Sequence, residues 1–167
     1  MNNPDVGQFA RHLLEGDGYQ VPKKGKNNDN AHPPIHPTKL VTDLSGEEKA
    51  VYELVVRHFL ACCSKDAVGD QTNVSVSIGN ESFSATGLVI RQLNFLNVYK
   101  YEKWSGSILP PFVQGQEFIP DSLEMVRGST SPPSPLTEDE LIGMMYKNGI
   151  GTDATIPTHI DTILKRV

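Results

Sequence analysis

The chain has 167 residues, of which 38% are hydrophobic and 21% are charged, and its formal net charge at pH 7 is −5. This composition excludes disorder along the whole chain, and no apolar run approaches the roughly 20 residues that a bilayer-spanning helix requires. The sequence therefore predicts a soluble, folded protein. It also lacks the chain-wide excess of Lys and Arg typical of nucleic-acid binders, so any contact with a nucleic acid must be local.

The two cysteines, Cys62 and Cys63, are adjacent in the sequence. Adjacent cysteines rarely form a disulfide with each other, and nothing after Met1 resembles a signal peptide. We therefore predict a reducing, intracellular environment. Cys62 is expected to pack as a small apolar residue.

Two helices are predicted in the first 65 residues. Apolar residues recur at helical spacing from Val6 to Leu14, and Gly16 ends the pattern. The second helix is predicted to begin at Ser45, because Ser45 and Glu48 form the pattern of a capping box. Its apolar face comprises Val51, Leu54, Val55, Phe59 and Cys62, and Glu53 and Arg57 fall on the opposite side.

A proline-rich stretch, residues 22–39, separates these helices. Residues 32–39, here called the histidine segment, read His32-Pro33-Pro34-Ile35-His36-Pro37-Thr38-Lys39. Its prolines favour a stiff polyproline-like conformation. They exclude a helix, and with it the metal site that two histidines four residues apart would suggest, so no metal ligand is predicted. The segment either presents a histidine to a polar site or is a plain connector. The neighbouring lysines either meet a phosphate backbone or lie in a solvated loop: Lys23, Lys24, Lys26 and Lys39.

The middle of the chain changes to a period of two. Apolar and polar residues alternate from Asn73 to Ile78 and again from Ser82 to Thr86, and Gly79-Asn80 lies between them. This pattern predicts a β-hairpin. From Leu88 to Val126 the sequence indicates short irregular strands joined by turns.

A Ser/Thr/Pro-rich linker, residues 129–135, precedes two predicted helices. The first begins with a capping box at Thr137 and Glu140, and the second begins near Thr155, which together indicate a helix-turn-helix unit. The connection Gly149-Ile150-Gly151-Thr152-Asp153-Ala154-Thr155 is here called the glycine turn. It could bind a phosphate through glycine backbone, helix amides and threonine hydroxyls. It could equally be an ordinary capped turn.

Three motifs in this order resemble signatures of one enzyme family. They are the histidine segment preceded by Ala31, the sequence Val55-Val56-Arg57-His58-Phe59-Leu60-Ala61-Cys62, and the glycine turn. Together with Thr130-Ser131-Pro132-Pro133, these motifs are distributed in order along nearly the whole chain. The sequence is similar to the type IA DNA topoisomerases, and among them to the alpha branch of eukaryotic topoisomerase III.

The resemblance implies an enzyme that cleaves one DNA strand through attack by a tyrosine hydroxyl. The enzyme holds the 5′ end covalently, passes another strand and reseals the first without ATP, which relaxes negative supercoils. The implied fold is an α+β fragment of a toroidal core. Residues 1–65 would be the distal part of a helical nucleophile domain, residues 66–128 a β-rich arch segment and residues 129–167 a winged-helix-like DNA-binding segment.

The resemblance also implies site residues and partners. His32 matches a motif histidine near the scissile phosphate, an accessory catalytic role. DNA contacts are implied for His32, His36, Lys39, Gly149, Gly151, Thr152 and Thr155. Implied partners are single-stranded DNA, a RecQ-type helicase and associated OB-fold proteins. The implied location is the nucleus, with roles in recombination and repair, and Mg²⁺ is the implied cofactor of full-length family members.

The sequence departs from the family pattern at the nucleophile. The family carries it in a Thr/Ser-Tyr-Pro-Arg-Thr-like motif, and none of the five tyrosines has such neighbours: Tyr19, Tyr52, Tyr99, Tyr101 and Tyr146. The acidic Mg²⁺-binding domain is not recognisable either. We therefore expect an internal portion of a topoisomerase that binds no Mg²⁺ and is inactive alone. The alternative is a non-catalytic module that binds single-stranded DNA.

Overall fold

The computed structural model describes residues 4–26 and 32–166, so Ala31 of the first motif lies outside the described part. The chain forms α1 (Pro4–Glu15), α2 (Gly46–Cys62), β1 (Val68–Ile78), β2 (Glu81–Gln92), α3 (Glu138–Lys147) and α4 (Ile156–Arg166), with a short 3₁₀ helix at Asn94–Asn97. The predicted mixture of α and β structure is confirmed. The residues group into two compact units, 1–117 and 118–167. The three-part division at residues 65 and 128 stays a prediction.

The residues that follow α1 form backbone hydrogen bonds with the residues that follow α2. The amide of Gln20 donates to the carbonyl of Cys63 at 2.9 Å, and the amide of Lys65 donates to the carbonyl of Gly18 at 3.2 Å. The Lys65 ammonium also reaches the Asp17 carboxylate, which lowers the pKa of Asp17 through a hydrogen bond and charge attraction. The two helices are thus joined at their carboxyl ends.

Helix α2 begins where the sequence predicts, but the predicted capping box at its start is wrong. The Ser45 side chain makes no capping hydrogen bond. Gly46 has a φ of 53°, outside the helical region, so the first turn lacks the geometry in which a Ser hydroxyl meets the third helical amide. Only the backbone carbonyl of Ser45 serves the helix, by accepting from the amide of Lys49 at 3.3 Å.

The predicted orientation of α2 is also wrong. Arg57 is 5% exposed, whereas Val51, on the predicted apolar face, is 61% exposed. The Arg57 guanidinium donates to the Glu53 carboxylate at 2.7 Å and to the carbonyl of Val98 at 2.9 Å. Burial of the charged side is possible because each buried polar atom of the guanidinium finds an acceptor. Helix α2 therefore packs on the region of the 3₁₀ helix with its Glu53–Arg57 side.

Strands β1 and β2 form the predicted hairpin and extend it well beyond the predicted limits. They pair antiparallel, with Val74 opposite Ala85 and Val76 opposite Phe83. Gly79, the first of the two turn residues, has a φ of 61°, as the first position of a type II′ hairpin turn requires. The alternating pattern of the sequence thus set both the register and the turn.

The segment after the hairpin does not form the predicted series of short strands. Between residues 93 and 126, Ser107 alone takes part in a bridge, in which it exchanges hydrogen bonds with Leu88 of β2 at 2.7 and 3.0 Å. Prolines without an amide hydrogen interrupt any longer ladder at positions 110, 111 and 120. The bridge fastens this segment to the base of the hairpin.

The second unit has a small core between α3 and α4. Met145, Ile156 and Ile160 are buried, and Leu141 and Ile142 pack against them. The capping box of α3 forms as predicted, and the Glu140 carboxylate accepts from the Thr137 amide at 2.9 Å. This core confirms the predicted helix-turn-helix pairing of apolar faces. Among residues 118–166 the structure contains no strand.

Candidate nucleic-acid interface

The histidine segment runs along the surface without regular secondary structure. Its residues 33–38 belong to neither helix nor strand, and His32, His36 and Lys39 are exposed. The ring nitrogen Nδ1 of His36 lies 2.8 Å from the carbonyl oxygen of Pro34. Because a carbonyl can only accept, Nδ1 carries the hydrogen in this arrangement. A neutral His36 ring therefore offers its other nitrogen, Nε2, as an acceptor.

Two side chains of α2 contact the histidine segment. The Tyr52 hydroxyl donates to the carbonyl of Lys39 at 2.6 Å and accepts from the amide of Val41 at 3.4 Å. The Phe59 ring centroid lies 6.3 Å from that of His36, at an interplanar angle of 41°. Neither contact was predicted, because the sequence gives no signal that pairs a tyrosine in a helix with a distant backbone carbonyl.

A groove of about 960 Å³ lies between the histidine segment and the carboxyl-terminal half of α2. Its walls include His36, Phe59, His58 and Tyr99, and the rings of His58 and Tyr99 meet edge to face at 5.7 Å. Lys23 also lines the groove, but its ammonium lies 2.5 Å from the Asp66 carboxylate. That exposed ion pair offsets the positive charge that the sequence offers to a phosphate.

Cys62 also lines this groove, which contradicts the prediction that it packs as a buried apolar residue. It is exposed, because α2 buries its Glu53–Arg57 side instead, and its sulfur lies 3.9 Å from the ring nitrogen Nδ1 of His58. Cys63 is half-buried, and burial raises the pKa of its thiol, with a further contribution from the charge of Cys62. Both thiols are free.

The glycine turn in the second unit begins as the carboxyl-terminal cap of α3. Gly149 has a φ of 65°, its amide donates to the carbonyl of Tyr146 at 3.2 Å, and the amide of Ile150 donates to the carbonyl of Met145 at 2.9 Å. These two bonds define a Schellman motif, which favours glycine at this position. Gly149 therefore has a structural role, whatever else it contacts.

Thr152 and Thr155 meet at the start of α4. The Thr155 hydroxyl accepts from the Thr152 amide at 2.7 Å, and the two hydroxyl oxygens are 3.2 Å apart. Gly151, with a φ of 77°, allows this approach, because a Cβ there would lie 3.1 Å from the Thr155 hydroxyl oxygen. Both threonines are exposed, so the turn presents two adjacent hydroxyls.

The backbone amides at the start of α4 are less available than the sequence suggests. The amides of Thr155 and Ile156 donate to the carbonyl of Thr152 at 3.0 and 2.9 Å, and the amide of His159 donates to the carbonyl of Thr155 at 3.0 Å. Pro157 has no amide hydrogen. A phosphate at this turn would therefore be held mainly by the two hydroxyls. The choice between a phosphate site and an ordinary capped turn stays a prediction.

The candidate residues form two groups, one in each unit. His36 and Lys39 share one segment anchored on α2, and Gly149, Gly151, Thr152 and Thr155 form the glycine turn. Among residues 4–26 and 32–166, no three His, Cys, Asp or Glu side chains are grouped so that they could hold a metal ion. None of the described helices is both long and apolar enough to cross a bilayer.

Comparison with known proteins identifies the family. A family model described as DNA topoisomerase matches residues 2–167. Human DNA topoisomerase 3-alpha is 52% identical over 165 residues, that of Drosophila melanogaster 51% over 162 residues and that of Arabidopsis thaliana 46% over 169 residues. The chain belongs to the type IA DNA topoisomerase family, and these relatives are all of the 3-alpha branch.

The matched region is almost the whole chain but a small part of each relative. It covers 99%, 97% and 98% of this chain, and 16%, 13% and 18% of the human, Drosophila and Arabidopsis proteins respectively. The resemblance inferred from three short motifs is thus confirmed over almost the whole of this sequence.

Proposed function

We propose that this chain is a strand-binding part of a type IA DNA topoisomerase, which cleaves and rejoins one DNA strand without ATP, passes strands through the gap and relaxes negative supercoils. The observation that carries the proposal is the family match over residues 2–167. Two exposed features of the chain support it, namely the paired hydroxyls of the glycine turn and the anchored histidine segment.

The chain alone is inactive in this proposal. Transesterification needs an activated nucleophile, and no tyrosine here has the neighbours of the family motif. The Tyr52 hydroxyl donates a hydrogen bond to the carbonyl of Lys39, while the rings of Tyr99 and Tyr101 contact each other edge to face. Purified chain incubated with negatively supercoiled plasmid and Mg²⁺ is expected to leave the plasmid supercoiled. Mg²⁺-dependent relaxation would contradict this part of the proposal.

The family resemblance implies the site roles, and the chemistry of the residues supports them. Single-stranded DNA is contacted by His36, Lys39 and the glycine turn, because imidazole, ammonium and hydroxyl groups all donate to phosphate oxygens. His32 acts near the scissile phosphate as an accessory group that orients or moves a proton. His36, held through its Nδ1 hydrogen by Pro34, meets the strand through Nε2 when protonated.

The finer family features belong to the same proposal. Residues 1–65, 66–128 and 129–167 would be parts of the nucleophile domain, the arch and a winged-helix-like element of a toroidal enzyme. Mg²⁺ would act in the longer family members, held by residues outside this chain. A RecQ-type helicase, OB-fold proteins and a nuclear role in recombination and repair complete the proposal, supported by the eukaryotic 3-alpha relatives.

Titration of a labelled single-stranded oligonucleotide at two salt concentrations tests strand binding. Affinity should fall as salt rises, because counterions are released from the phosphates. The double variant T152V/T155V removes both hydroxyls at nearly constant volume and should weaken binding. T162V is the matched control, because Thr162 lies in α4, the helix that follows the glycine turn, and its hydroxyl donates to the carbonyl of Thr158 at 2.7 Å. Absence of binding at either salt concentration would overturn the proposal.

A further inference from the structure

The histidine segment touches α2 at two places separated by seven helical residues. Tyr52 meets the carbonyl of Lys39 through its hydroxyl, and Phe59 meets the ring of His36. Seven residues complete almost two turns of an α helix, so both side chains lie on the same side of α2, about 10 Å apart along the axis. The segment runs antiparallel to α2, since His36 precedes Lys39 while Phe59 follows Tyr52.

The spacing of the two contacts matches the length of the segment. Three residues of an extended, proline-rich chain cover about 9 Å, close to the separation of Tyr52 and Phe59. Of these two contacts, only the one at Tyr52 is a directional hydrogen bond, and its 2.6 Å length is typical of a strong O–H···O bond. The hydroxyl also accepts from the amide of Val41, so it is hydrogen-bonded to the backbone on both sides of Leu40.

From this geometry we infer that Tyr52 is a positioning residue, whose hydroxyl fixes the register of the histidine segment on α2 and thereby places the His36 ring. Without the hydroxyl the segment can slide along α2, because the remaining ring contact between Phe59 and His36 has little directional preference. The consequence for DNA binding rests on the proposed function, whereas the effect on His36 does not. In this inference Tyr52 acts through the backbone of Lys39.

The test uses Y52F in the full chain, with Y146F as the matched control, because Tyr146 lies in the other unit and is 56% exposed. Nuclear magnetic resonance of the five histidine rings reports how close each ring lies to an aromatic neighbour. We expect the His36 ring signals to carry a ring-current shift from Phe59, whose ring centroid lies 6.3 Å away, in the unmodified chain and in Y146F. In Y52F this shift should decrease, while the signals of His12, His58 and His159 stay constant. An unchanged His36 in folded Y52F would overturn the inference.

A second measurement does not depend on any variant. Exchange of the Val41 amide hydrogen should be slower than that of its exposed neighbours Leu40 and Thr42 in the unmodified chain, because Val41 donates to Tyr52. Equal exchange at the three positions would overturn the inference even if Y52F failed to fold.

Measurements of oligonucleotide binding by the same variants distinguish this inference from the proposed function. Y52F should weaken oligonucleotide binding about two- to tenfold, the effect of losing one hydrogen bond, with the thermal midpoint close to that of Y146F. T152V/T155V should weaken binding without changing His36. Failure of every form to bind would remove the proposed function and leave the ring and exchange results to decide on Tyr52. Equal binding by Y52F and Y146F would overturn the link between Tyr52 and the strand.

Discussion

The guanidinium of Arg57 donates to the backbone carbonyl of Val98 at 2.9 Å, and this bond joins α2 to the residues just after the 3₁₀ helix. Arg57 is 5% exposed and Val98 is 1% exposed. Glu53 completes the arrangement, since it accepts from Arg57 and from the Lys100 ammonium, both at 2.7 Å. A cluster of charged groups therefore lies at the contact between two elements where an apolar contact is the usual solution.

Replacement of Arg57 by Ala should destabilise the first unit by about 2–4 kcal/mol, because it leaves a buried carbonyl without its donor and removes one partner of Glu53. Chemical denaturation followed by circular dichroism measures the change. The control is R91A, which removes an exposed pair with Asp70 and should cost less than about 1 kcal/mol. Equal losses in the two variants would contradict the structural role of Arg57.

Glu53 makes stability depend on pH in the acidic range. Hydrogen bonds from Lys100 and then Arg57 hold the pKa of Glu53 below its ordinary value of 4.5. A group whose pKa is lowered by folding contributes its full stability above the unfolded pKa, and this contribution is lost as pH falls through the folded pKa. The stability difference between the unmodified chain and E53Q should therefore be complete well above pH 4.5 and shrink as the pH falls below that value. A constant difference would contradict the assignment.

Substitution of Gly149 or Gly151 by alanine should destabilise the second unit more than substitution of its other glycines. Both have positive φ values, 65° and 77°, and an alanine in that region costs about 1–2 kcal/mol. G143A is the control, because Gly143 lies inside α3 and a Cβ there meets nothing within 4 Å. It should stabilise the helix by about 0.5–1 kcal/mol. Thermal denaturation of the three variants gives the order, and a stabilising G151A would be inconsistent with it.

Gly87 allows the segment around Ser107 to approach the base of the hairpin. A Cβ at position 87 would lie 2.8 Å from the Leu109 side chain and 3.0 Å from the carbonyl oxygen of Ser107. G87A should therefore cost about 1–3 kcal/mol through overpacking and speed amide exchange at Leu88 and Ser107. G128A adds a Cβ in open space and should change little.

The sequence predicted well those elements whose signal is local. Periodicity and the Gly79-Asn80 pair predicted the hairpin, and the Thr137–Glu140 box predicted the start of α3. The same reasoning failed for α2, where Glu53 and Arg57 are four residues apart and look like an ordinary solvent-exposed pair. Their burial depends on the carbonyl of Val98, 41 residues away from Arg57, and no local pattern contains that information.

In the candidate site, too, the features with a local sequence signal were predicted and those that depend on distant residues were not. Motifs indicated the histidine segment and the glycine turn, but the backbone bonds within the turn were not part of that prediction. The anchoring role of Tyr52 could not be predicted, because its hydroxyl meets a main-chain carbonyl, which every residue carries. The exposure of Cys62 was missed for the same reason as the burial of Arg57, since both follow from which side of α2 packs.

Trp104, the single tryptophan of the chain, adjoins the hairpin at Gly69, where a Cβ would lie 3.1 Å from its indole ring. Its fluorescence emission is therefore an intrinsic optical reporter of the hairpin base. Because the second unit has no tryptophan, emission and far-ultraviolet ellipticity recorded on one sample can separate loss of the hairpin base from loss of helix.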